Sequence, residues 1–396
     1  MKKTLVFLIM VLALLLAACG PAAASEPEAC KAAPGCAKIA KGQTIKIGYA
    51  GPMTGDYSQF GVDMSQAMKI AVKDLSDFQG WKFDLVAEDD QASAEGAAAV
   101  ANKLITDPTF VAMAGHAFSG ATSAAMPIYE KAGIPMLSPS ATNPDLTTKG
   151  SKVFNRNAFT DADQAAGAGK FLYETLGKRK LAGIHDGTDY GQGLAKGVEA
   201  KFKELGGEVV AFEAITPGES DYSPVLAAIA SKSPDAIYFG GYVGEGAVLA
   251  NELKAAGLAG VVFFGGDGIY GKDFLTKAGA NSEGVYSATL IPPTSDAIVK
   301  FNTAYKAAFG TEAGVLSAYT WTSYDSFMAL AEAVKSVAVV SGDTLYIPRT
   351  ALVAAVRGIK NYQGLAGVIT CRDNGECNAS GPVFYVAKGG KWVPAK

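Results

Sequence analysis

The sequence predicts an α/β protein made of two doubly wound parallel-sheet lobes joined by a three-crossing hinge. Three observations carry this expectation. The chain has 396 residues and 49% hydrophobic content, too long for one ordinary core and rich enough in apolar side chains for two. Short apolar runs alternate with helical segments, the βαβ grammar of a parallel sheet covered by helices on both faces. That grammar starts twice, at Thr44 and again after Arg156.

The first residues, MKKTLVFLIMVLALLLAAC, combine a short basic start with an unbroken apolar run from Leu5 to Ala18. A membrane span needs about 20 apolar residues, so this shorter run reads as an export signal over residues 1–18. It ends in Leu16-Ala17-Ala18-Cys19, which resembles the lipobox of bacterial lipoproteins. By that resemblance Cys19 becomes a lipidated N-terminus anchored to the membrane outside the cytoplasm. Residues 19–43 are rich in Ala, Pro and small polar residues and read as a tether.

The first unit then reads as strand IKIGYA, a helix from Gly61 to Asp77, strand FDLVAE, a helix from Ser93 to Thr106 and strand FVAMAG. The second reads as a helix from Asp161 to Leu176, KLAGIHD, a helix from Gly191 to Leu205, EVVAFEAI, a helix from Tyr222 to Lys232, AIYFGG, a helix from Gly244 to Ala256 and VVFFGG. Helices at Asp296–Phe309, Ala318–Ser336 and Thr350–Arg357 follow, then a hairpin-like end. The first unit supplies few helices of its own after Tyr129, so the late helices are expected to return to it and the hairpin to join the second. This divides the chain into 44–156 with 292–362, and 157–291 with 363–396. Crossings fall near Arg156, Ile291 and Tyr362, and three strands make a hinge rather than a loose linker.

The formal net charge is −3, with no basic block, so nucleic acid is not an expected partner. Besides Cys19, four cysteines form two close pairs, Cys30 with Cys36 and Cys371 with Cys377, the second flanking Asp373-Asn374-Gly375. Five residues between cysteines and no nearby histidine match no common zinc spacing, so two local disulfides in an oxidising compartment are favoured. The two other pairings stay open.

Catalysis finds little support. The only two histidines, His116 and His185, read as hydrogen-bonded loop residues, and no nucleophile elbow, P-loop or zinc motif appears. Glu88, Asp89 and Asp90 read as a solvated loop or helix entry. Gly191-Gln192-Gly193 with Gly197 mimics a dinucleotide fingerprint, but its spacing is wrong and Tyr190 would crowd a pyrophosphate. No enzyme, cofactor or metal is expected.

A binding cleft fits better, because two facing doubly wound sheets put both sets of strand ends in one crevice. The residues at those ends are Ser119, the segment from Ser138 to Thr142, Tyr190, Tyr242 and Asp267. Taken alone, Ser119 is more often an N-cap, each tyrosine packing and Asp267 a turn residue. Together they complement an amino acid zwitterion. Ser119 at a helix start and Thr142 offer hydroxyls and N–H groups to a carboxylate. Asp267 supplies the negative charge an ammonium needs on leaving water. Tyr190 and Tyr242 offer ring faces and hydroxyls.

The stretches IKIGYAGPMTG, GHAFSGATSAAMPIYEKAGIPMLSPSATNPDLT, HDGTDYGQGLA, DAIYFGGYVGEG and AYTWTSYDSF, in this order, are similar to the periplasmic leucine/isoleucine/valine-binding protein family of bacterial ABC transporters. The resemblance runs from about Ile45 to Tyr385 and implies a type I periplasmic binding fold. It further implies that Ser119 and Thr142 hold a ligand carboxylate, while the backbone of Ser140 and the Asp267 side chain hold the ammonium, with Ala141 between Ser140 and Thr142 counted among the ligand-binding residues. Tyr190 and Tyr242 would close from the second lobe, and Phe60, Ala117, Phe118 and Tyr319 would line the side-chain pocket. Three departures stand out. Asp267 replaces a longer glutamate, Phe60 lacks a tyrosine hydroxyl, and Phe118 is large. The resemblance implies a lipid-anchored receptor that passes an aliphatic or branched-chain amino acid to a permease and its ATPase. An amide or aromatic acid as ligand, and a sensory receptor, are the alternatives.

Overall fold

A computed structural model describes residues 26–377 and 381–396. The export signal and Cys19 lie outside the described residues. Two parallel sheets organise the chain. The first has five strands in the order β3-β2-β4-β5-β6, all parallel. They are β2 (Ile45–Gly51), β3 (Phe83–Asp89), β4 (Phe110–Met113), β5 (Met136–Ser138) and β6 (Phe154–Arg156), connected through helices α1 (Ser58–Asp74), α2 (Ala94–Leu104), α3 (Ser119–Ala132) and the short α4 (Asp145–Thr148). All four residues of β4 are buried, as a strand covered on both faces requires.

The second sheet has seven strands in the order β17-β16-β11-β10-β9-β7-β8. Its parallel part consists of β7 (Lys180–His185), β8 (Glu208–Ala214), β9 (Ala236–Gly240), β10 (Val262–Gly265) and β11 (Tyr286–Thr289). Helices α5 (Asp161–Lys170), α6 (Asp189–Glu204), α7 (Ser223–Ala230), α8 (Val243–Glu252) and α9 (Lys272–Ala278) surround it. In α6 the buried Tyr190, Leu194, Ala195, Val198 and Phe202 recur at helical spacing, and the Thr188 hydroxyl caps its start by accepting from the Gly191 N–H. In α5, Thr160 and Asp163 form a capping box.

The chain passes between the sheets three times, between β6 and α5, between β11 and α10 (Asp296–Phe309), and ahead of the C-terminal hairpin β16 (Val383–Lys388) and β17 (Lys391–Pro394). The hairpin joins the second sheet antiparallel to β11. Helices α10 and α11 (Thr320–Val337) return to the first sheet. There Tyr305, Ser317 and Thr320 all donate to the buried Asp63 of α1, at 2.6 to 3.0 Å.

The tether expectation fails beyond Gly35. Residues Cys36–Ala40 form β1, paired antiparallel with β13 (Thr344–Pro348), with β12 (Val339–Ser341) on its other side. Ala37 and Ile39 are buried while Lys38 and Ala40 face out, an alternation too short to stand out in an Ala/Lys-rich stretch. Disulfides join Cys30 to Cys36 and Cys371 to Cys377. The first ties the preceding turn to β1. The second closes the turn after α12 (Arg349–Arg357) and the small ladder of β14 (Tyr362–Gln363) and β15 (Val368–Ile369). No helix among the described residues is long and apolar enough to cross a membrane.

The acidic run at the end of β3 also departs from expectation. Asp90 is fully buried rather than solvated, and its carboxylate meets His116 Nδ1 at 2.8 Å. His116 Nε2 lies 3.2 Å from the Tyr129 hydroxyl, so this histidine is consumed by core polar contacts. Asp89 instead holds the segment that follows β2, accepting from Met53 N–H and the Thr54 hydroxyl, while Ser93 caps the next helix.

Candidate functional site

The two sheets present their carboxyl ends to one cleft, and the expected ligand-contacting residues other than Ala141 border it. Ser119 is the first residue of α3, with Phe118 rather than Ser119 at the N-cap position. The first helical hydrogen bond runs from Thr122 N–H to Phe118 C=O, which leaves the N–H groups of Ser119, Gly120 and Ala121 without an intrahelical acceptor. The Ser119 hydroxyl is not spent on a cap. It accepts from Asn143 N–H at 3.2 Å and so ties the helix start to the loop carrying Thr142. That loop is internally braced, with Ala141 N–H donating to Ser138 Oγ at 3.0 Å and Ser140 Oγ donating to the Ala117 carbonyl at 2.7 Å. The result on this lobe is a buried patch of hydroxyls and helix-end N–H groups, suited to a carboxylate.

Opposite lies Asp267, 4% exposed, two residues past Gly265 at the end of β10. It accepts from Gln164 Nε2 at 2.5 Å, from the Tyr190 hydroxyl at 2.9 Å and from the Tyr319 hydroxyl at 2.5 Å. Gln164 and Tyr190 belong to the second lobe and Tyr319 precedes α11 of the first, so one carboxylate joins both lobes. The Tyr190 hydroxyl also accepts from Gly268 N–H at 2.9 Å. Position 268 admits only glycine for this approach, since a Cβ there would lie 2.5 Å from the Gly241 carbonyl and 3.0 Å from the Tyr190 ring. Burial raises the Asp267 carboxyl above its ordinary range and the three side-chain donors oppose the rise.

Asp161 was not singled out by sequence reasoning. It is 2% exposed, and neither carboxylate oxygen has a hydrogen-bond partner at bonding distance among the described residues. Its backbone N–H donates to Thr142 C=O across the lobes at 3.0 Å. Burial pushes its carboxyl well up, with the Asp267 charge adding to the rise; Thr142 and the Arg156 guanidinium work against it. The missed signal is in the segment Thr160-Asp161-Ala162-Asp163. Asp163 already completes the capping box, which leaves the second acid of that helix turn without a local task.

Aromatic rings close the apolar side. Phe118 stacks on Tyr242 with centroids 4.2 Å apart and planes 5° apart. Phe60 meets Phe118 edge-on at 5.6 Å, and Tyr190 lies 5.0 Å from Tyr242. Tyr57, another residue the sequence reading passed over, packs against Phe118 and Tyr242 and donates to Glu245 Oε1 at 3.0 Å across the cleft. Asn143 likewise reaches the other lobe, donating from Nδ2 to Asp189 C=O at 2.5 Å. Phe60, Ala117, Phe118, Ser119, Ser140, Thr142, Tyr190, Tyr242, Asp267 and Tyr319 all border one cavity, whereas Ala141 is fully buried and does not border it. A groove of about 430 Å³ opens beside it, bordered by Ser119, Asn143, Asp161 and Asp189.

The dinucleotide-like glycines have a packing reason. A Cβ on Gly191 would fall 2.4 Å from the Gly240 carbonyl, so this glycine lets α6 start against β9.

Residues 44–391 match the family model described as periplasmic binding protein. The chain is 32% identical over 295 residues to the Leu/Ile/Val-binding protein of Escherichia coli K12, covering 74% of this chain and 79% of that protein. Against the leucine-specific-binding protein of Salmonella typhimurium the identity is 34% over 298 residues, covering 73% and 78%. Its fold is similar to a crystal structure of a leucine-binding protein from Thermotoga maritima, with TM-score 0.81 and 29% identity over 89% of this chain and 98% of the other. With a family match over most of its length and a shared two-lobed α/β fold, the chain belongs to the periplasmic binding protein family, in the group of leucine/isoleucine/valine-binding proteins.

Proposed function

We propose that this protein is the extracytoplasmic solute receptor of an ABC transporter, lipidated at Cys19, and that it closes on the zwitterion of an aliphatic amino acid and hands it to a permease and its ATPase. The lobes would comprise 44–156 with 292–362 and 157–291 with 363–396. The observation that carries the reading is Asp267, a buried carboxylate held from both lobes and set opposite the hydroxyl and N–H groups around Ser119 and Thr142. A buried negative charge facing a buried anion-binding patch suits a ligand that carries both charges on groups attached to one carbon. Ser119 and Thr142 take the carboxylate. Asp267, with Asp161 beside it and the backbone of the Ser140-Ala141-Thr142 loop, takes the ammonium. Tyr190 and Tyr242 contribute the second lobe's contacts, so the ligand favours the closed state by touching both sides.

The protein acts here as a binder with no catalytic step. Relatives in the group are named as binding proteins, among them a branched-chain amino acid transporter substrate-binding protein from Streptococcus pneumoniae solved with isoleucine, 27% identical with TM-score 0.78 over 88% of this chain and 98% of that one. Calorimetric titration of the purified protein, unfolded and refolded oxidised to strip carried ligand, tests the reading against single amino acids. Asp267→Ala is expected to cost about 2–5 kcal/mol of affinity, because it strands a buried ammonium. Unchanged affinity in that variant would falsify the assignment.

A further inference from the structure

We infer that Tyr57 clasps the two lobes together across the cleft through Glu245, and that this contact slows the release of a bound amino acid without touching it. The inference rests on the amino acid reading above and adds to it a residue that governs release.

Tyr57 stands at the N-cap position of α1, on the side of the first sheet, and Glu245 lies in the first turn of α8, on the side of the second. The Tyr57 hydroxyl donates to Glu245 Oε1 at 3.0 Å, and Gly218 N–H donates to the same oxygen at 3.0 Å. The other oxygen, Oε2, has no hydrogen-bond partner among the described residues. Glu245 is 4% exposed, so with the lobes together its carboxylate has left water and depends on these two donors. Burial, and then the Glu245 charge, pushes the Tyr57 phenol far above its ordinary range, so the hydroxyl keeps its proton and stays a donor. The Tyr57 ring also meets one ring from each side, Phe118 at 5.9 Å and Tyr242 at 5.2 Å.

Neighbouring contacts make the start of α1 a seam between the lobes. Gln59 Oε1 accepts from Asp273 N–H of α9 at 3.3 Å, and Asp56 lies 3.4 Å from Lys277 of the same helix. The Asp56–Lys277 pair is exposed and screened by water, so it adds little. Lys272 N–H donates to the Val315 carbonyl at 2.9 Å, between α10 and α11. The Tyr57–Glu245 contact differs from these in joining a hydroxyl to a buried carboxylate, the stronger kind of hydrogen bond. Neither Tyr57 nor Glu245 borders the cavity. The clasp must therefore break for the cleft to open, yet it has no part in choosing the ligand. Its loss raises the free energy of the closed state alone, which speeds opening and leaves the encounter of ligand with the open cleft as it was.

The test combines calorimetry for affinity with stopped-flow fluorescence for association and dissociation rates, using leucine, isoleucine and alanine on the stripped protein. It is repeated on Tyr57→Phe and Glu245→Gln, with circular dichroism to establish folding. Tyr57→Phe removes one hydroxyl and keeps the ring. It is expected to speed dissociation about tenfold, the worth of one hydrogen bond to a buried charge, with association changed less than about twofold. The loss is expected to be the same for every amino acid that binds, because the clasp does not meet the side chain. Glu245→Gln is expected to act in the same direction, and the double variant to lose no more than the larger single loss. A dissociation rate that Tyr57→Phe leaves unmoved, or a loss that falls on one ligand and spares another, overturns the clasp and leaves the zwitterion site standing. Failure of every amino acid to bind overturns both.

Discussion

Arg156 and Glu376 form a buried two-pronged ion pair between the end of β6 and the turn closed by the Cys371–Cys377 disulfide. Arg156 Nε donates to Glu376 Oε2 at 2.9 Å and Nη2 to Oε1 at 2.6 Å, with Arg156 fully buried. The same guanidinium donates from Nη1 to the carbonyls of Ala141 and Asn143, at 2.9 and 2.6 Å, on either side of Thr142. A crossing segment is therefore wired directly to the loop that carries Thr142. Backbone contacts reinforce it, with Arg156 N–H donating to Gly375 C=O and Cys377 N–H to Arg156 C=O.

Glu376→Gln keeps the shape and removes the charge, which leaves a buried guanidinium without its counter-ion. The expected loss is about 3–5 kcal/mol of folding stability, read by urea denaturation. Ligand affinity is expected to fall with it, because the carbonyls that position Thr142 lose their fixed donor. A loss below about 1 kcal/mol would show that the pair is not the brace described.

Asp161 is expected to make ligand binding proton-linked. Its carboxyl is pushed well up by burial and by Asp267, and an arriving ammonium favours the ionised form, so binding releases a proton. Affinity is expected to rise as pH rises from the ordinary carboxylate range upward. Calorimetry in buffers of different ionisation enthalpy measures the released proton directly. In Asp161→Asn the affinity should drop, and the proton release should shrink or vanish; an unchanged proton count would rule Asp161 out as its source.

Buried carboxylates away from the ion pair are expected to make the fold more stable in mild acid than at neutral pH. Burial pushes Asp63 up to about 6 and Asp325 up to about 7, despite the donors each accepts from. The unfolded values lie near 4, so between there and pH 7 the folded chain holds more protons than the unfolded one. The stability is fully present below the unfolded value and is lost as pH rises through the folded values. Groups held low, such as Glu376 beside Arg156, act in the opposite direction, and their contribution is lost as pH falls through their own depressed values. Thermal unfolding is therefore expected at a higher midpoint at pH 5 than at pH 8. Asp325→Asn should reduce that difference, whatever it does to the midpoint itself.

The sequence by itself determined the two-lobed α/β architecture, because alternating apolar runs and helical periods are local patterns that survive without tertiary context. Helix α10 was legible at its observed ends, since Ser295 caps it and Gly310 stops it. That Ser119, Thr142, Tyr190, Tyr242 and Asp267 share one cleft was legible because strand ends in doubly wound sheets converge. Strand β1 was not legible, as its five residues pair with a segment about three hundred positions away. Nor were the tasks of Asp161, Gln164, Tyr57, Asn143 and Glu376, all of which read locally as polar surface or helix-start residues. Only the tertiary structure decided which carboxylates left water and which rings met across the cleft. Desolvation and interlobe packing depend on what the opposite lobe brings up, and no stretch of sequence contains both sides of that contact.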